Sequence, residues 1–208
     1  MRILLAVEWM LATAAALALT HLAVEIGFAA LLGYALLVLL PFIGGAVAGL
    51  PVGVSQWLIL RGHVEGSERW ILYTLIGFAG AWTTTMILAA VLFVPSFGLT
   101  GPRAFLSLAI PAPIIGWAQT RAIRHWAPAT RLWLIASTAG WVGFVAVETF
   151  GSHALPLVSR LTGTLVSRIA GYAVTSSVGT TVLAGAVAGA VTGVALAMTL
   201  PARSPRSK

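Results

Sequence analysis

Cysteine, aspartate and asparagine do not occur anywhere in this chain of 208 residues. The lack of cysteine excludes disulfides, thiolate metal centres and a cysteine nucleophile. The lack of aspartate removes the carboxylate that holds magnesium in most phosphoryl-transfer enzymes. The lack of asparagine removes the acceptor for N-linked glycans. Charge is almost as scarce. Charged residues make up 8% of the chain, where an ordinary soluble domain has about 25%. Hydrophobic residues make up 59%, and the mean hydropathy is +0.99. So small a stock of polar side chains cannot clothe a water-facing surface. The composition points to a bilayer and to an all-α, polytopic integral membrane helical bundle.

The few charges mark the spans. Between residues 3 and 60 there is no Lys or Arg, and Glu8, His21 and Glu25 are the only acidic or histidine side chains. That stretch is too long for one spanning helix of about 20 residues and holds two long helices or three short ones. Further apolar runs cover residues 70–94, 104–120, 132–147 and 177–200. The expectation is six transmembrane helices, or seven if the first stretch is divided three ways. With six, the first helix covers residues 4–28 and the second 34–60.

An internal repeat supports six. A shift of 63 residues carries Gly53, Gln56 and Arg61 onto Gly116, Gln119 and Arg124, and Trp70, Gly77 and Gly80 onto Trp133, Gly140 and Gly143. A shift of 140 carries Gly45, Gly49 and Gly53 onto Gly185, Gly189 and Gly193. The repeated unit is a helix with a stripe of small residues that ends in a basic turn, followed by a helix that opens with Trp and carries Gly-x-x-Gly. The copies keep one direction. They imply three parallel hairpin repeats at about 1–63, 64–130 and 131–200 within one transmembrane domain, not the inverted repeats of many secondary transporters.

Basic residues set the orientation. Arg2, Arg61, Arg69, Arg121, Arg124, Arg131, Arg203, Arg206 and Lys208 lie on one side, against Arg103, Arg160 and Arg168 on the other. Short loops rich in Lys and Arg stay in the cytoplasm. The expectation is a multi-pass cell-membrane protein with both termini inside, including a basic tail over 201–208. Anionic lipid is the expected partner of the cytoplasmic turns. The isoelectric point near 11.4 reads the same way and not as nucleic-acid binding, because the cations are spread over membrane-boundary turns. Residues 157–172 carry Leu157, Leu161, Leu165 and Ile169 every four residues beside Arg160 and Arg168, which suits a helix lying in the headgroup region. Glu8 within the first apolar run, and the continuation of that run to residue 60, argue against a cleaved secretory signal.

Candidate functional residues are few. Gly45, Gly49 and Gly53, and likewise Gly185, Gly189 and Gly193, recur every four residues and leave helix-packing grooves that another backbone can enter. The partner is a helix of the same chain, the other striped helix or a second copy, and the alternative is a glycine-lined pore. Gln56 and Gln119 stand five residues before their basic turns. Each is suited to hydrogen-bonding a neighbouring helix or to lining a polar path with Glu148. The third copy has Leu196 at that place, so a threefold polar ring is not kept.

Glu8, Glu25 and Glu148 each need a partner, a proton or water, because a charge at the membrane centre costs on the order of 2.5–3.5 kcal/mol. Glu148, with His153 five residues on, is the candidate proton or cation site. His21 is a candidate ligand for haem iron or a chlorophyll magnesium, although a helical histidine more often bonds a neighbouring side chain. Trp57, Trp70, Trp126 and Trp133 flank the basic turns, where indoles favour the interface, and Trp82, Trp117 and Trp141 are expected to fill packing space. Nothing here implies a cofactor or a metal.

Catalytic templates fail. Gly53-Val54-Ser55-Gln56 opens like a nucleophile elbow without its closing glycine. Neither a G-x-x-x-x-G-K-[ST] loop nor an H-E-x-x-H pair is present. The expectation is no enzyme.

The run Gly53-Val-Ser-Gln-Trp-Leu-Ile-Leu-Arg61, followed by a short turn and by Trp70, Gly77 and Gly80, resembles uncharacterised bacterial multi-spanning membrane proteins built on a repeated Gly-x-x-Gln-Trp-x-x-x-Arg helical hairpin. The resemblance covers roughly 44–143, with a degraded third copy over 185–200, and the second copy has Thr120 at the counterpart of Trp57. It implies a membrane fold and no activity. The expected function is a non-enzymatic structural or accessory subunit that packs with membrane partners or with itself as a homo-oligomer. The alternative is a small-solute, ion or lipid transporter working through Gln56, Gln119 and Glu148.

Overall fold

The structure is a computed structural model and describes residues 2–23, 41–93, 101–124, 126, 130–154 and 177–200. Every regular element among these residues is an α-helix: α1 (Arg2–Ala23), α2 (Pro41–Leu60), α3 (Arg69–Phe93), α4 (Gly101–Ala109), α5 (Ala112–Ile123), α6 (Thr130–Ala154) and α7 (Ser177–Thr199). Of these, α1, α2, α3, α6 and α7 are long and apolar enough to cross a membrane. Residues 24–40, the headgroup helix expected at 157–172 and the tail at 201–208 lie outside the described residues, as do Glu25, Arg160 and Arg168.

The run at 104–120, expected as one helix, is two. Proline makes the break. Pro111 and Pro113 bring no N–H to the ladder, and their rings clash with the preceding turn. The chain bridges the gap with Ile110 N–H donating to the Leu106 carbonyl at 3.0 Å and Ile114 N–H donating to the Pro111 carbonyl at 2.9 Å. The fourth expected helix is thus a composite of α4 and α5, and neither half is long enough alone.

The contacts at the glycines define the packing order. Cβ atoms added at Gly45 and Gly49 would meet Phe78, and one added at Gly53 would meet Thr74 and Ile71, so α2 runs antiparallel along α3. Gly77 faces Ile115 and Ala118 on α5, Gly116 faces Ser137 on α6, and Gly140 faces Ala188 on α7. Gly185, Gly189 and Gly193 then meet Ala14, Met10 and Ala6, which brings α7 back against α1. The last seam, between α1 and α2, carries the Thr20 hydroxyl donating to the Ala48 carbonyl at 3.3 Å. These helices close into a ring in chain order, and α4 lies against α6, with the Phe105 and Phe150 rings 5.8 Å apart.

The stripes of α2 and α7 therefore face different neighbours within the chain, α3 and α1, and not each other. The approach is backbone on backbone. A Cβ at Gly45 would lie 2.6 Å from the Phe78 carbonyl oxygen, and one at Gly189 would lie 2.7 Å from the Met10 Cα. Such closeness multiplies dispersion contacts of about 0.1–0.2 kcal/mol each along the whole seam.

Two layers fill the interior. Leu5, Trp9, Leu60, Trp70, Ile123 and Trp133 belong to the layer at the end where the turns after α2 and α5 lie. Leu17, Val52, Ile115 and Trp141 belong to the next.

Because Met10 meets Gly189 with backbone and not with a flexible side-chain tip, Gly189→Ala should cost about 1–3 kcal/mol through overpacking. Gly62→Ala, whose new Cβ would stand 3.6 Å from the Ile59 carbonyl oxygen, should be close to neutral. Unfolding of the purified chain in a denaturing detergent, followed by helical circular dichroism, compares the two. Equal stabilities would contradict the close seam.

Candidate functional site

A connected set of buried polar side chains forms at the end of the bundle that carries the basic turns. Trp9, Trp70 and Trp133 come from α1, α3 and α6, alternate members of the ring, and meet on its axis. Their ring centroids are 5.5, 6.0 and 5.3 Å apart, with interplanar angles of 70°, 89° and 77°. Each edge points at a neighbouring face, the arrangement that the aromatic quadrupole favours by about 0.5–1.5 kcal/mol per pair. The three indoles are 0%, 0% and 1% exposed. This corrects the expectation that Trp70 and Trp133 sit at an interface. It also corrects the roles of Trp82 and Trp117, which are 37% and 52% exposed and face outward. Trp141 is buried and packs on Phe78 and Phe144, at 4.9 and 5.6 Å.

A hydroxyl residue follows each indole by four positions: Thr13, Thr74 and Ser137. That spacing puts the two side chains on one helix face. The glutamines stitch these faces together. The Gln56 amide donates to the Thr13 hydroxyl at 3.0 Å, and the Trp70 indole N–H donates to Gln56 Oε1 at 3.1 Å, joining α2 to α1 and α3. The Gln119 amide donates to the Thr74 hydroxyl at 3.2 Å and accepts from the Ser137 hydroxyl at 3.3 Å, joining α5 to α3 and α6.

At Leu196, the counterpart expected from the 140-residue shift, the arrangement differs. Leu196 supplies no amide, and the Trp9 N–H donates instead to the Thr192 hydroxyl, one turn earlier on α7, at 3.0 Å. The Trp133 Nε1 is buried with no hydrogen-bond partner. Trp9 and the hydroxyl residues were missed in the sequence. The signal was present as Trp-x-x-x-Thr/Ser at 9–13, 70–74 and 133–137.

Gln56 and Gln119 are buried and spent on neighbouring helices. Glu148 stands elsewhere, eleven residues beyond Ser137 on α6, on the order of 16 Å along the axis. The three residues expected to line one path are not brought together. Glu148 is hydrogen-bonded by the Thr181 hydroxyl of α7 and lies within electrostatic reach of His21 on α1, while its Oε1 is buried without a hydrogen-bond partner. His21 thus neighbours an acid of another helix. Of His153 only the helical backbone is described. Among the described residues no three His, Asp or Glu side chains gather as a metal site. The Ser55 hydroxyl donates to the Val52 carbonyl of its own helix at 3.0 Å, which spends it locally.

No protein-family model, curated protein or solved structure matches this chain, so none bears on the resemblance to the repeated-hairpin proteins.

The unequal partners of the indoles lead to a direct comparison. Trp70→Phe leaves Gln56 Oε1 buried without its donor, and Trp133→Phe removes an N–H that has no acceptor. Both lose similar ring area, so Trp70→Phe should be less stable than Trp133→Phe by about 1–3 kcal/mol. Equal melting of the two variants in detergent would refute the assigned network.

Proposed function

We propose that the chain is an integral membrane bundle of six spans, with α4 and α5 together forming the fourth. In this reading the spans form three parallel hairpin repeats, both termini are cytoplasmic, and the protein serves without catalysis as a structural or accessory subunit. The outer faces support the lipid setting, since Leu4, Leu11, Ile135, Val194 and Met198 are all exposed and apolar. The equal duties of residues 63 apart support the repeats: Gln56 and Gln119 each tie one helix to its two neighbours.

The buried indole trio carries the functional reading. Three tryptophans pack edge to face on the ring axis at the basic end, and the only two glutamines of the chain are consumed around them. A centre so filled favours a rigid body that others pack on over a channel along the axis. Because the glycine stripes are engaged within the chain, a partner or a second copy would dock on the outward faces. Extraction in a mild detergent, followed by mass determination, tests this. A defined stoichiometric partner or a homo-oligomer is expected, and a cleanly monomeric particle without a partner would remove the subunit reading.

One observation favours the transporter alternative. The buried, unpartnered Oε1 of Glu148 between α6, α7 and α1 is the kind of intramembrane acid that marks a proton or cation step. If that reading held, Glu148→Gln would lower cation or proton flux in proteoliposomes. Unchanged flux would take the acid out of it.

A further inference from the structure

Outside the buried layer, two arginines at the basic end lie over tryptophans of their own chain segments. The Cζ of Arg61 is 5.4 Å from the centroid of Trp57, and that of Arg121 is 4.7 Å from the centroid of Trp117. In each pair the arginine follows the tryptophan by four residues, so both groups share one helix face. Trp117 is 52% exposed, and Arg61 is exposed.

The register of these pairs is informative. The inward-facing residues Gln56 and Gln119 are 63 apart, as are Trp70 and Trp133, but the two Trp–Arg pairs are 60 apart. Three positions back along a helix is about 60° of rotation and about 4.5 Å of rise. Thr120 takes the place of Trp57 in the repeat, and Trp117 restores the pair one turn away. Trp57 is half-buried and rests one side on the inner layer, whereas Trp117 is largely exposed. The pair thus keeps its chemistry while leaving the register of the core, and at Trp117 core packing does not account for it.

We infer that each Trp–Arg pair is a clamp for the phosphate of an anionic phospholipid, an inference that rests on the membrane reading above. Stacking on the indole covers one face of the guanidinium and leaves its in-plane N–H donors free, in the planar fork that matches phosphate oxygens. The indole suits the boundary between headgroup and acyl chain, with its apolar body against the chain. The surrounding charge has the required sign. Arg2, Arg69, Arg124 and Arg131 are exposed at this end and outnumber its acids, which are Glu8 on α1 and Glu65 and Glu68 in the turn after α2. A zwitterionic lipid offers the same phosphate but adds a cation that these arginines repel, so the clamps select the anionic lipid.

The test uses the full chain in vesicles of phosphatidylcholine with a minor share of phosphatidylglycerol, one lipid at a time brominated near the glycerol end of its acyl chains. Bromine quenches indole emission at contact, and Trp117→Phe identifies the contribution of Trp117, since Trp82 is also exposed. Brominated phosphatidylglycerol should quench more than the same mole fraction of brominated phosphatidylcholine, reflecting local enrichment on the order of fivefold for each arginine. Arg61→Gln combined with Arg121→Gln should bring the two lipids level. Arg121→Lys, which keeps the charge and loses the planar fork, should lose most of the preference at Trp117. Arg61 is exposed and Arg121 half-buried, and circular dichroism checks that the helices persist after each change. Equal quenching of the native chain by both lipids, or a preference that survives the glutamine pair or the lysine change intact, overturns the clamp alone. No quenching by either lipid means the chain is not in the bilayer, which overturns the membrane reading and the clamp with it.

Discussion

Helices can share a narrow ring only if their backbones come closer than ordinary side chains allow. Here that closeness is purchased by omitting Cβ atoms. At Gly45, Gly185, Gly189 and Gly193 the position of a Cβ is already occupied by atoms of the facing helix at 2.6–2.9 Å. The seams α2 with α3 and α7 with α1 therefore stand at backbone contact, and glycines on α3, α5 and α6 tighten the rest. The diameter of the bundle follows from this, and so does the little space left on its axis.

That axial space is what the three indoles fill. Their T-shaped contacts need centroids 5.3–6.0 Å apart, a separation that alternate helices of the ring can offer only when the seams between them are tight. An indole in such a place brings an N–H that an apolar interior penalises unless it is met. Gln56 and Thr192 meet two of them, and the third is left without an acceptor. Gln56, Gln119 and Thr192 thus fasten neighbouring helices to one another. The exposed face of Trp117 and the outer side of the half-buried Trp57 belong to a different problem, that of the surroundings.

Much of the local architecture was legible beforehand. The close of α2 at Leu60, the start of α6 near residue 132, the basic turns and the small-residue stripes follow from run lengths, charge and fourfold spacing, each a property of consecutive residues. By contrast, α6 continues to Ala154, seven residues past the apolar run that ends at 147. The break between α4 and α5 was overlooked because hydropathy ignores the missing N–H groups of Pro111 and Pro113. Trp70 and Trp133 were misplaced because an indole beside a basic turn is equally compatible with the rim and the axis. Which it takes depends on the azimuth of its helix within the ring. Trp9 was missed because its separation from Trp70 is 61 and not 63 residues.

What the chain's own order of residues determined is a set of lengths, polarities and permitted distances: apolar helices long enough to span, cations gathered at turns, faces able to accept a backbone. What only the tertiary structure decided is the identity of the neighbours. A glycine stripe specifies how near a partner comes and says nothing of which partner it is. That choice was made when α7 closed against α1, at a sequence separation of 183 residues between Trp9 and Thr192. It settled which indole found an acceptor, because ring closure is a long-range event that no local pattern encodes.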